Sequence, residues 1–577
     1  SFSFDRLRRL VFCDAGVIDL VTTVMKAGTA VLSALLPVLL SACWNLNSPV
    51  DPLADDFSGA LSLRITDLTV TPSSADVSGV TPEQFSLIAT FEDGSTRDVT
   101  EDARWRSSDQ AVATVSNGPG TRGLATVAGS GIATIEAEYG GISTTRTNRC
   151  ATFSADAIFV SATTGSDVTG DGARDAPVAT VQKGVDLAAA IGSSAAVLVE
   201  AGAYLVTTPV VLAPDVSLYG GYEIGTWHRD TELYVSRIEN TAASNPSAQA
   251  APDAAVEAGP EITSGSRIDG LHLVGGGGMG PAGNFSAGVF CNGGSPVITD
   301  NTIYGGTGAG HAYGVLVLDG GSPTIQGNTI TGKTVRDGDR SYGIHVVDSS
   351  ATVVGNVIDA GPRSPNRSAA VLFYGGSTDG TIANNWIDGG LGREAVGIDL
   401  ADGATARIWS NTVNAGTAQG GFGIGAAIAI AIDGGGPSIV NNILFSDGGP
   451  VRYGVYEETA GSDPIRFQSN VIFDTPTALY VDGGSSNYNT EADLNDWTVT
   501  TGDAGNPTDG NLFRDPVFED LPGGDWRLSA GSPAAVTQGG FDLSGESYYP
   551  TSGFPPEPID LHGDNRTVPW SIGAAEY

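Results

Sequence analysis

Thr299-Asp300-Asn301-Thr302-Ile303 is a short pattern that returns as Gln326-Gly327-Asn328-Thr329-Ile330 and as Val354-Gly355-Asn356-Val357-Ile358. Its central asparagine recurs along the chain in steps of 26 to 31 residues. An apolar residue stands three places before each asparagine, and another stands two places after it. A fixed period of this length is typical of a repeat architecture. The asparagines of this column are Asn301, Asn328, Asn356, Asn385, Asn411, Asn442 and Asn470.

One period is too long for a single strand and shows no helical apolar stripe, so it must be several short strands joined by turns. One such coil cannot bury its own apolar residues, but stacking places equivalent residues of neighbouring coils about 4.8 Å apart. An asparagine in each turn can bond to the asparagines above and below it, which satisfies amides that are buried along the axis. The sequence therefore predicts an all-β chain that is dominated by a stack of parallel coils. A second strand of each coil is equally regular and begins with glycine, as in Gly288-Val289-Phe290, Gly314-Val315-Leu316, Gly343-Ile344-His345, Gly397-Ile398-Asp399 and Gly454-Val455-Tyr456.

This repeat resembles the right-handed, single-stranded parallel β-helix of the pectin-lyase-like superfamily. The opening Ile158-Phe159-Val160-Ser161 is similar to that of family members, which implies an amphipathic helix over residues 178–191 that shields the edge of the first coil. The ending Ile572-Gly573-Ala574-Ala575-Glu576-Tyr577 resembles their C-terminal cap. We therefore predict a β-helix over residues 156–514 and a cap region over residues 515–577. Because this fold hosts lyases, hydrolases, isomerases and inert surface proteins, the resemblance implies no single activity.

A smaller all-β domain is predicted before the coils. Short alternating runs separated by turn signals occupy residues 61–150, which is typical of a β-sandwich. The runs Asp93-Gly94-Ser95-Thr96-Arg97-Asp98-Val99-Thr100 and Trp105-Arg106-Ser107-Ser108-Asp109 resemble the bacterial Ig-like module of the Big2 type. We predict Trp105 as a core residue, and the resemblance implies a spacer or an adhesive arm.

The N-terminal region has the layout of a secretory signal. Met25-Lys26 precedes an apolar run that ends in Leu40-Ser41-Ala42-Cys43. A positive start, an apolar run and a small-residue site in this order predict a signal peptide, and the run is shorter than the ~20 residues that span a bilayer. The last four residues resemble the lipobox of bacterial lipoproteins, which implies lipid attachment at Cys43 and a membrane tether. We predict residues 1–24 as an upstream extension, residues 25–42 as the signal peptide and residues 43–60 as a linker.

The chain is strongly acidic, with 65 acidic residues, 28 basic residues and a formal net charge of −37. A polyanion of this size repels nucleic acid, so we predict no nucleic-acid partner, and it disfavours acidic polysaccharides unless cations screen the field.

Trp44 stands after the lipobox cysteine, which resembles the outer-membrane default of such lipoproteins and predicts a surface or periplasmic location. Of the four cysteines, Cys13 lies in the predicted upstream extension and Cys43 is the predicted lipid attachment site. Cys150 and Cys291 therefore form either a disulfide or two free thiols.

Familiar catalytic motifs of this fold are missing from the sequence. After the signal, Lys183 and Lys333 are the only lysines, and we find neither a polygalacturonase-type aspartate pattern nor a lyase-type Trp-Ile-Asp-His motif. We assign no catalytic residue; the best candidates are Arg393, Glu394 and Asp399. Two carboxylates and a guanidinium in one place could serve acid/base catalysis, and a loop ion pair is the structural alternative.

Two groups of acidic residues are candidates for calcium binding, and no other cofactor is predicted. Asp167, Asp171 and Asp175 stand at the first, fifth and ninth places of a partial calcium loop, but its twelfth place is Val178 instead of the glutamate of an EF-hand. A turn of the family is the alternative interpretation. An acidic column also closes the second strand of the coils, where turn capping before glycine competes with cation bridging. This column contains Asp319, Asp348, Asp402, Asp433 and Asp482.

These features favour a non-catalytic, monomeric cell-envelope lipoprotein that displays a β-helix for binding a glycan or a surface protein. The motivation is the signal, the spacer module and the missing lyase and hydrolase motifs. The alternative is a polysaccharide lyase or glycoside hydrolase that acts on acidic polysaccharide. Adhesion without a defined ligand is a third hypothesis.

Overall fold

The computed structural model describes residues 64–71, 74–76, 83–107, 110, 113–127, 132–139, 142–143, 150–153, 157–192, 195–227, 229–231, 233–242, 252–276, 285–306, 310–332, 340–362, 366–419, 425–446, 448–520, 525–543 and 571–574. Cys43, the predicted signal peptide and the predicted linker lie outside these residues. So do His228 and Lys333.

The stack of coils is built from three long sheets of 12, 11 and 11 strands. Apart from the first and last coils, each coil contributes one strand to each sheet, and neighbouring strands within a sheet are parallel except for the last pair of the third sheet. The predicted all-β chain of stacked parallel coils is therefore confirmed. The first sheet contains Ile158–Val160, Ala196–Glu200, Ser217–Tyr222, Arg267–Asp269, Val297–Thr299, Thr324–Gln326, Ser350–Val354, Asp379–Ala383, Arg407–Trp409, Ser438–Val440, Arg466–Gln468 and Thr508–Asp509. The second contains Gly202–Val206, Ser236–Asn240, His272–Val274, Thr302–Tyr304, Thr329–Thr331, Val357–Asp359, Trp386–Asp388, Thr412–Asn414, Ile443–Phe445, Val471–Ile472 and Leu512–Phe513. The third contains Val210–Val211, Asp253–Ala258, Ser286–Asn292, Ala312–Leu318, Ser341–Val347, Arg367–Tyr374, Glu394–Ala401, Ala427–Ile432, Arg452–Glu457, Ala478–Asp482 and Ser486–Tyr488.

Apolar ladders fill the inside of the stack. Ile298 pairs with Ile325, which pairs in turn with Val353 on the next coil, and all three are fully buried. Cys291 lies in the same core as a free thiol, so it forms no disulfide with Cys150.

The glycine column of the third sheet is required by close packing against the second sheet. A Cβ atom on Gly314 would lie 2.3 Å from Cγ2 of Ile330, and one on Gly343 would lie 2.5 Å from Cγ2 of Ile358. Because real Cβ atoms do not approach carbon atoms this closely, glycine lets the second and third sheets meet at the corners of these coils.

The asparagines form a continuous hydrogen-bonded ladder inside the stack. The Oδ1 atom of Asn356 accepts from the backbone N–H of Asn328 at 2.8 Å and from its Nδ2 at 3.0 Å. The same pair of bonds recurs at each step to Asn470, and Asn511 extends the ladder by one coil with both distances at 3.0 Å. At the other end, where Leu271 takes the asparagine position, its backbone N–H donates to Oδ1 of Asn301 at 2.9 Å. Each buried amide of this column is satisfied by its neighbours.

A helix covers the first coil, as the resemblance implied, but α1 runs over Val181–Ile191 and begins three residues later than predicted. Val178 is still extended because it bridges Val160 in a parallel pair. Thr180 caps the helix by accepting a hydrogen bond from the backbone N–H of Lys183. Gly184 allows α1 to lie against the sheet, since a Cβ there would be 2.6 Å from Cγ2 of Val160.

The other end of the stack is closed by residues before the predicted cap region. Two short helices, α2 (Glu491–Leu494) and α3 (Trp497–Thr500), place Leu494 and Val499 in the inner core. Residues 515–577 were predicted to cap this end. The described part of that region instead packs along the outside of earlier coils.

Asn441 fastens this C-terminal region to the side of the stack. Its Nδ2 donates to the carbonyl oxygen of Phe541 at 2.7 Å, and its Oδ1 accepts from the backbone N–H of Phe541 at 2.7 Å. The guanidinium of Arg466 lies 4.3 Å from the centre of the Phe541 ring. A hairpin of Phe518–Asp520 with Asp525–Leu528 and the helix α4 (Ala534–Thr537) complete the described region. An additional two-stranded parallel pair, Leu391–Gly392 with Thr417–Ala418, extends two of the coils.

The predicted N-terminal domain consists of short sheets around one core. Trp105 is 2 % exposed at the centre of this core, where Leu87 and Ile135 of two different sheets also pack, so its predicted core position is confirmed. The strands are mainly antiparallel. They are Ile65–Thr71, Ser74–Asp76, Glu83–Gln84, Ser86–Phe91, Thr96–Asp98, Arg104–Ser107, Ala113–Val115, Leu124–Val127, Ile132–Tyr139, Ile142–Ser143 and Cys150–Phe153.

Candidate functional site

The outer face of the third sheet carries a buried group of charged side chains. Successive residues of a strand point to opposite faces, so the residues next to the inward-facing Ile398 point outward. Asp399 is one of these outward residues, and it lies beside Leu372 of the preceding coil. Glu394 begins the same strand and pairs in register with Arg367. The side chains of Glu394 and Asp399 are only 8 % and 4 % exposed.

Arg367 binds both carboxylates. Its Nε lies 3.2 Å from Oε1 of Glu394, and its Nη2 lies 2.8 Å from Oδ2 of Asp399. A third carboxylate, that of Glu458, lies 4.0 Å from the same Nη2 atom. One guanidinium thus holds a pair of carboxylates from the next coil and approaches a third from a later coil.

The sequence placed Arg393 in this cluster, and the structure corrects that assignment. Arg393 is exposed at the start of the strand and makes no ion pair with any residue that the structure describes. Arg367 takes its place because one full coil brings residue 367 beside residue 394, whereas Arg393 immediately precedes the strand Glu394–Ala401 and faces solvent. Glu394 and Asp399 were predicted to lie close together, and in the structure both carboxylates bind Arg367.

Burial controls the protonation of this cluster. Desolvation raises the pKa of Asp399 above its usual range, although the attraction of Arg367 acts in the other direction. Desolvation also opposes the charge on Arg367, but Asp399 and Glu394 outweigh it and raise the pKa of Arg367. Because one guanidinium serves several carboxylates, the attraction of Arg367 does not offset the desolvation of Asp399. The pKa of Glu458 is also raised by burial.

A stack of rings continues from the charged cluster along the same face. The rings of Tyr313 and Tyr342 stack in nearly parallel planes, with ring centres 5.5 Å apart, and His345 stacks on Tyr342 at 5.0 Å. Burial lowers the pKa of His311 to about 4 and that of His345 to about 3, so both imidazoles are neutral at physiological pH. Within the described residues, neither ring nitrogen of His345 has a hydrogen-bond partner.

An accessible rim surrounds the buried cluster. Arg340 is exposed, and its Nη1 lies 3.5 Å from the hydroxyl of Tyr342. Tyr453 and Tyr456 are half-buried, with ring centres 5.1 Å apart, and Glu458 is exposed. A molecule that reaches this face therefore meets guanidinium donors, a carboxylate acceptor and aromatic rings.

The predicted calcium loop does not assemble a metal site. Oδ1 of Asp167 accepts from the backbone N–H of Ala179 at 2.7 Å and of Thr180 at 3.0 Å, while Oδ2 accepts from the Thr180 hydroxyl at 2.7 Å. Slight burial opposes the charge on Asp167, but these bonds outweigh it and lower the pKa of Asp167. Asp171 accepts from the backbone N–H of Ala173 at 3.0 Å, and Asp175 is exposed. The loop is the turn that leads into α1.

Four residues of the acidic column lie in turns or bends, and the fifth, Asp482, ends the strand Ala478–Asp482. Asp319, Asp348 and Asp402 have positive φ angles of 56°, 44° and 56°, a conformation that aspartate tolerates in turns. Across the described ranges, no group of three or more acidic, histidine or cysteine side chains is arranged to hold a metal ion. In the same ranges, no helix is long and apolar enough to cross a membrane.

The match to a family model supports the fold. Residues 287–496 match the family model described as "Right handed beta helix region", which is the predicted handedness. A search of curated proteins gave no match. Among solved structures, the chain is similar to a pectin methylesterase from Aspergillus niger in a penultimately deglycosylated form, with 14 % identity and a TM-score of 0.27 over 58 % of this chain and 90 % of that one. At this TM-score the likeness carries no argument about activity.

Proposed function

We propose that the protein binds a glycan on the outer face of the third sheet, around the cluster of Arg367, Glu394 and Asp399. The observation that carries this proposal is the grouping itself: a buried ion-pair cluster lies beside a stack of rings and inside an accessible polar rim. Binding sites combine apolar and aromatic surface with a few fixed polar groups, and this face has both.

The chemistry of the rim fits sugar hydroxyls, which both donate and accept hydrogen bonds. Arg340 and Arg393 present guanidinium donors, and Glu458 presents a carboxylate acceptor. Charge-assisted hydrogen bonds of this type are stronger than neutral ones. The half-buried rings of Tyr453 and Tyr456 offer flat apolar surface with a polar tip. Because equivalent strands recur on successive coils of the third sheet, a linear polymer can bind along the long axis of the stack.

We further propose that lipid attachment at Cys43 tethers the protein to the outer membrane, with the N-terminal domain as a spacer of the bacterial Ig-like type. The support is the order of signal, linker, domain and β-helix in the sequence. Labelling cells with a radioactive fatty acid tests the tether. Label should appear on the wild-type protein and be lost in Cys43→Ala; label retained in Cys43→Ala would overturn it.

Rim variants should weaken glycan binding without affecting the fold. A glycan array identifies the ligand, and titration calorimetry then measures its affinity for Glu458→Gln and Tyr456→Ala. We expect each change to raise Kd about tenfold, which corresponds to the loss of about 1.4 kcal/mol. Glu261→Gln, a change at an exposed glutamate in another loop, is the matched control and should bind like the wild type. Equal affinity of all the variants would show that the ligand binds elsewhere.

Hydrolysis of the bound glycan is a second candidate function, and one observation favours it. The pKa of Asp399 is raised next to the carboxylate of Glu394, and general acid catalysis favours a carboxyl group whose pKa is raised toward the working pH. Incubation of the protein with the array-positive glycan, followed by assays of reducing ends and of unsaturated products, separates the two functions. Turnover that disappears in Asp399→Asn would establish catalysis, and binding without turnover leaves the glycan-binding function alone.

A further inference from the structure

A glutamate replaces an apolar residue at the last position of one inner ladder. Phe373, Leu400 and Ile432 pair in register on successive coils, and Glu457 follows Ile432 in the same column. Glu457 has no exposed surface. The other inner ladder of this sheet ends in Tyr480, which is also fully buried.

Glu457 and Tyr480 link the last coil to the helices that close the stack. The Tyr480 hydroxyl is hydrogen-bonded to Oε1 of Glu457 and lies 3.2 Å from the carbonyl oxygen of Thr500 in α3. Oε2 of Glu457 accepts a long bond of 3.4 Å from the backbone N–H of Gly483, which lies in the turn after Ala478–Asp482. Thr500 in turn follows Val499, which packs in the inner core.

Proton counting shows which form of Glu457 fits this arrangement. A phenol has one proton, so Tyr480 cannot donate to both Glu457 and Thr500. Both contacts are satisfied only when Tyr480 donates to Thr500 and accepts from a protonated Glu457. An ionised Glu457 would compete for the Tyr480 proton and leave the carbonyl of Thr500 without its donor.

The charges that face Glu457 also favour the neutral acid. Asp482 on the strand of Tyr480 and Asp463 in the preceding loop are both acidic. Among the described residues, Glu457 forms no ion pair with a basic side chain, and α3 contains no charged residue. Burial, followed by these acids, raises the pKa of Glu457 to about 8, even though the hydrogen bond from Tyr480 acts in the other direction.

We propose that the closing end of the stack is a protonation-dependent latch: protonated Glu457 keeps residues 486–513 docked over the last coil, and loss of its proton releases them. The released segment contains α2, α3 and Asn511, so its opening uncovers the inner core and the last step of the asparagine ladder.

The direction of the pH dependence follows from linkage. The closed form holds the proton up to about pH 8, whereas an opened, solvated glutamate loses it near its ordinary pKa of 4.5. Between these two values the closed form binds one more proton than the open form, so the latch weakens as pH rises. One proton corresponds to an increase of about tenfold in the opening equilibrium for each pH unit, which levels off above the pKa of the closed form.

Hydrogen exchange of the purified full-length protein tests the latch. Between pH 5 and pH 7.5, exchange of residues 486–513, corrected for the intrinsic rate, should accelerate about tenfold per pH unit and should level off near pH 8. Glu457→Gln removes the titrating group and should abolish this acceleration, while Glu261→Gln, at an exposed glutamate in a distant loop, should keep the wild-type acceleration.

A second variant keeps the test decisive if Glu457→Gln does not fold. Asp463→Asn removes a neighbouring negative charge, so it should move the levelling point to lower pH. The proposal fails if the wild-type segment shows no acceleration or if Glu457→Gln accelerates equally. It also fails if Asp463→Asn leaves the levelling point in place.

Discussion

Asn356→Ala should lower the free energy of unfolding by about 3–6 kcal/mol, because it removes the hydrogen bonds that several buried polar groups of the ladder make to this side chain. The backbone N–H and the Nδ2 group of Asn328 lose their shared acceptor, the Oδ1 atom of Asn356. The carbonyl oxygen of Ile325 loses the Nδ2 donor that now lies 2.8 Å away. Each buried group left unsatisfied costs about 1–3 kcal/mol. Urea unfolding followed by circular dichroism measures the loss.

The loss of stability should depend on the position of the asparagine in the ladder. Asn301 stands next to Leu271, so its Oδ1 atom accepts only one bond from the preceding coil, whereas that of Asn356 accepts two. Asn301→Ala should therefore destabilise the protein less than Asn356→Ala. Asn487→Ala, at an exposed asparagine outside the ladder, is the control and should change stability by less than about 0.5 kcal/mol. A loss at Asn356 no larger than that at Asn487 would mean that water replaces the ladder bonds.

Periodicity explains why the stack could be predicted from the sequence. Residues such as Ile298 and Ile325 occupy equivalent places because each coil buries the same face, so the spacing of one column is enough to define the register. The ladder was predicted for the same reason. Asn511 was missed because α2 and α3 lie within its coil and lengthen the step from Asn470 to 41 residues. Gly510-Asn511-Leu512 nevertheless keeps the local pattern of Gly327-Asn328-Thr329.

The candidate site could be predicted only in part, since its contacts join different coils. Glu394 and Asp399 share a strand, and the sequence grouped them correctly. Their basic partner lies one coil earlier, at Arg367, whereas Arg393 is only the nearest arginine in the sequence. The 27-residue separation of Arg367 from Glu394 equals one coil and is the signal that identifies it. The orientation of the C-terminal region depends on Asn441, an extra asparagine whose partner is 100 residues away, and no local pattern indicates that contact.

Arg367→Met should be the most damaging single change on the outer face, with an expected loss of about 3–5 kcal/mol at neutral pH. It leaves the buried carboxylates of Glu394 and Asp399 without the guanidinium that binds both. Removing one partner of a buried ion pair is costly because the other charge stays desolvated. Glycan binding should be lost as well, since the cluster at the centre of the proposed site collapses. Chemical unfolding and calorimetric titration of the same preparation measure the two effects.

The pH dependence of this variant identifies the cause of the loss. Burial already gives Asp399 a folded pKa above its unfolded value, so its contribution to stability is present in acid and declines as pH rises through the folded pKa. Without Arg367 the pKa of Asp399 rises further, so the stability of Arg367→Met should fall more steeply with pH than that of the wild type. The difference in stability between Arg367→Met and the wild type should shrink in acid, where both carboxyl groups are protonated.

Adding Asp399→Asn to Arg367→Met should restore part of the lost stability at neutral pH, because it removes the unpaired charge. Arg393→Met, at the exposed arginine that the sequence favoured, should leave stability nearly unchanged. If Arg393→Met were the more damaging change, or if the loss in Arg367→Met were independent of pH, the buried ion pair would not be what stabilises this face.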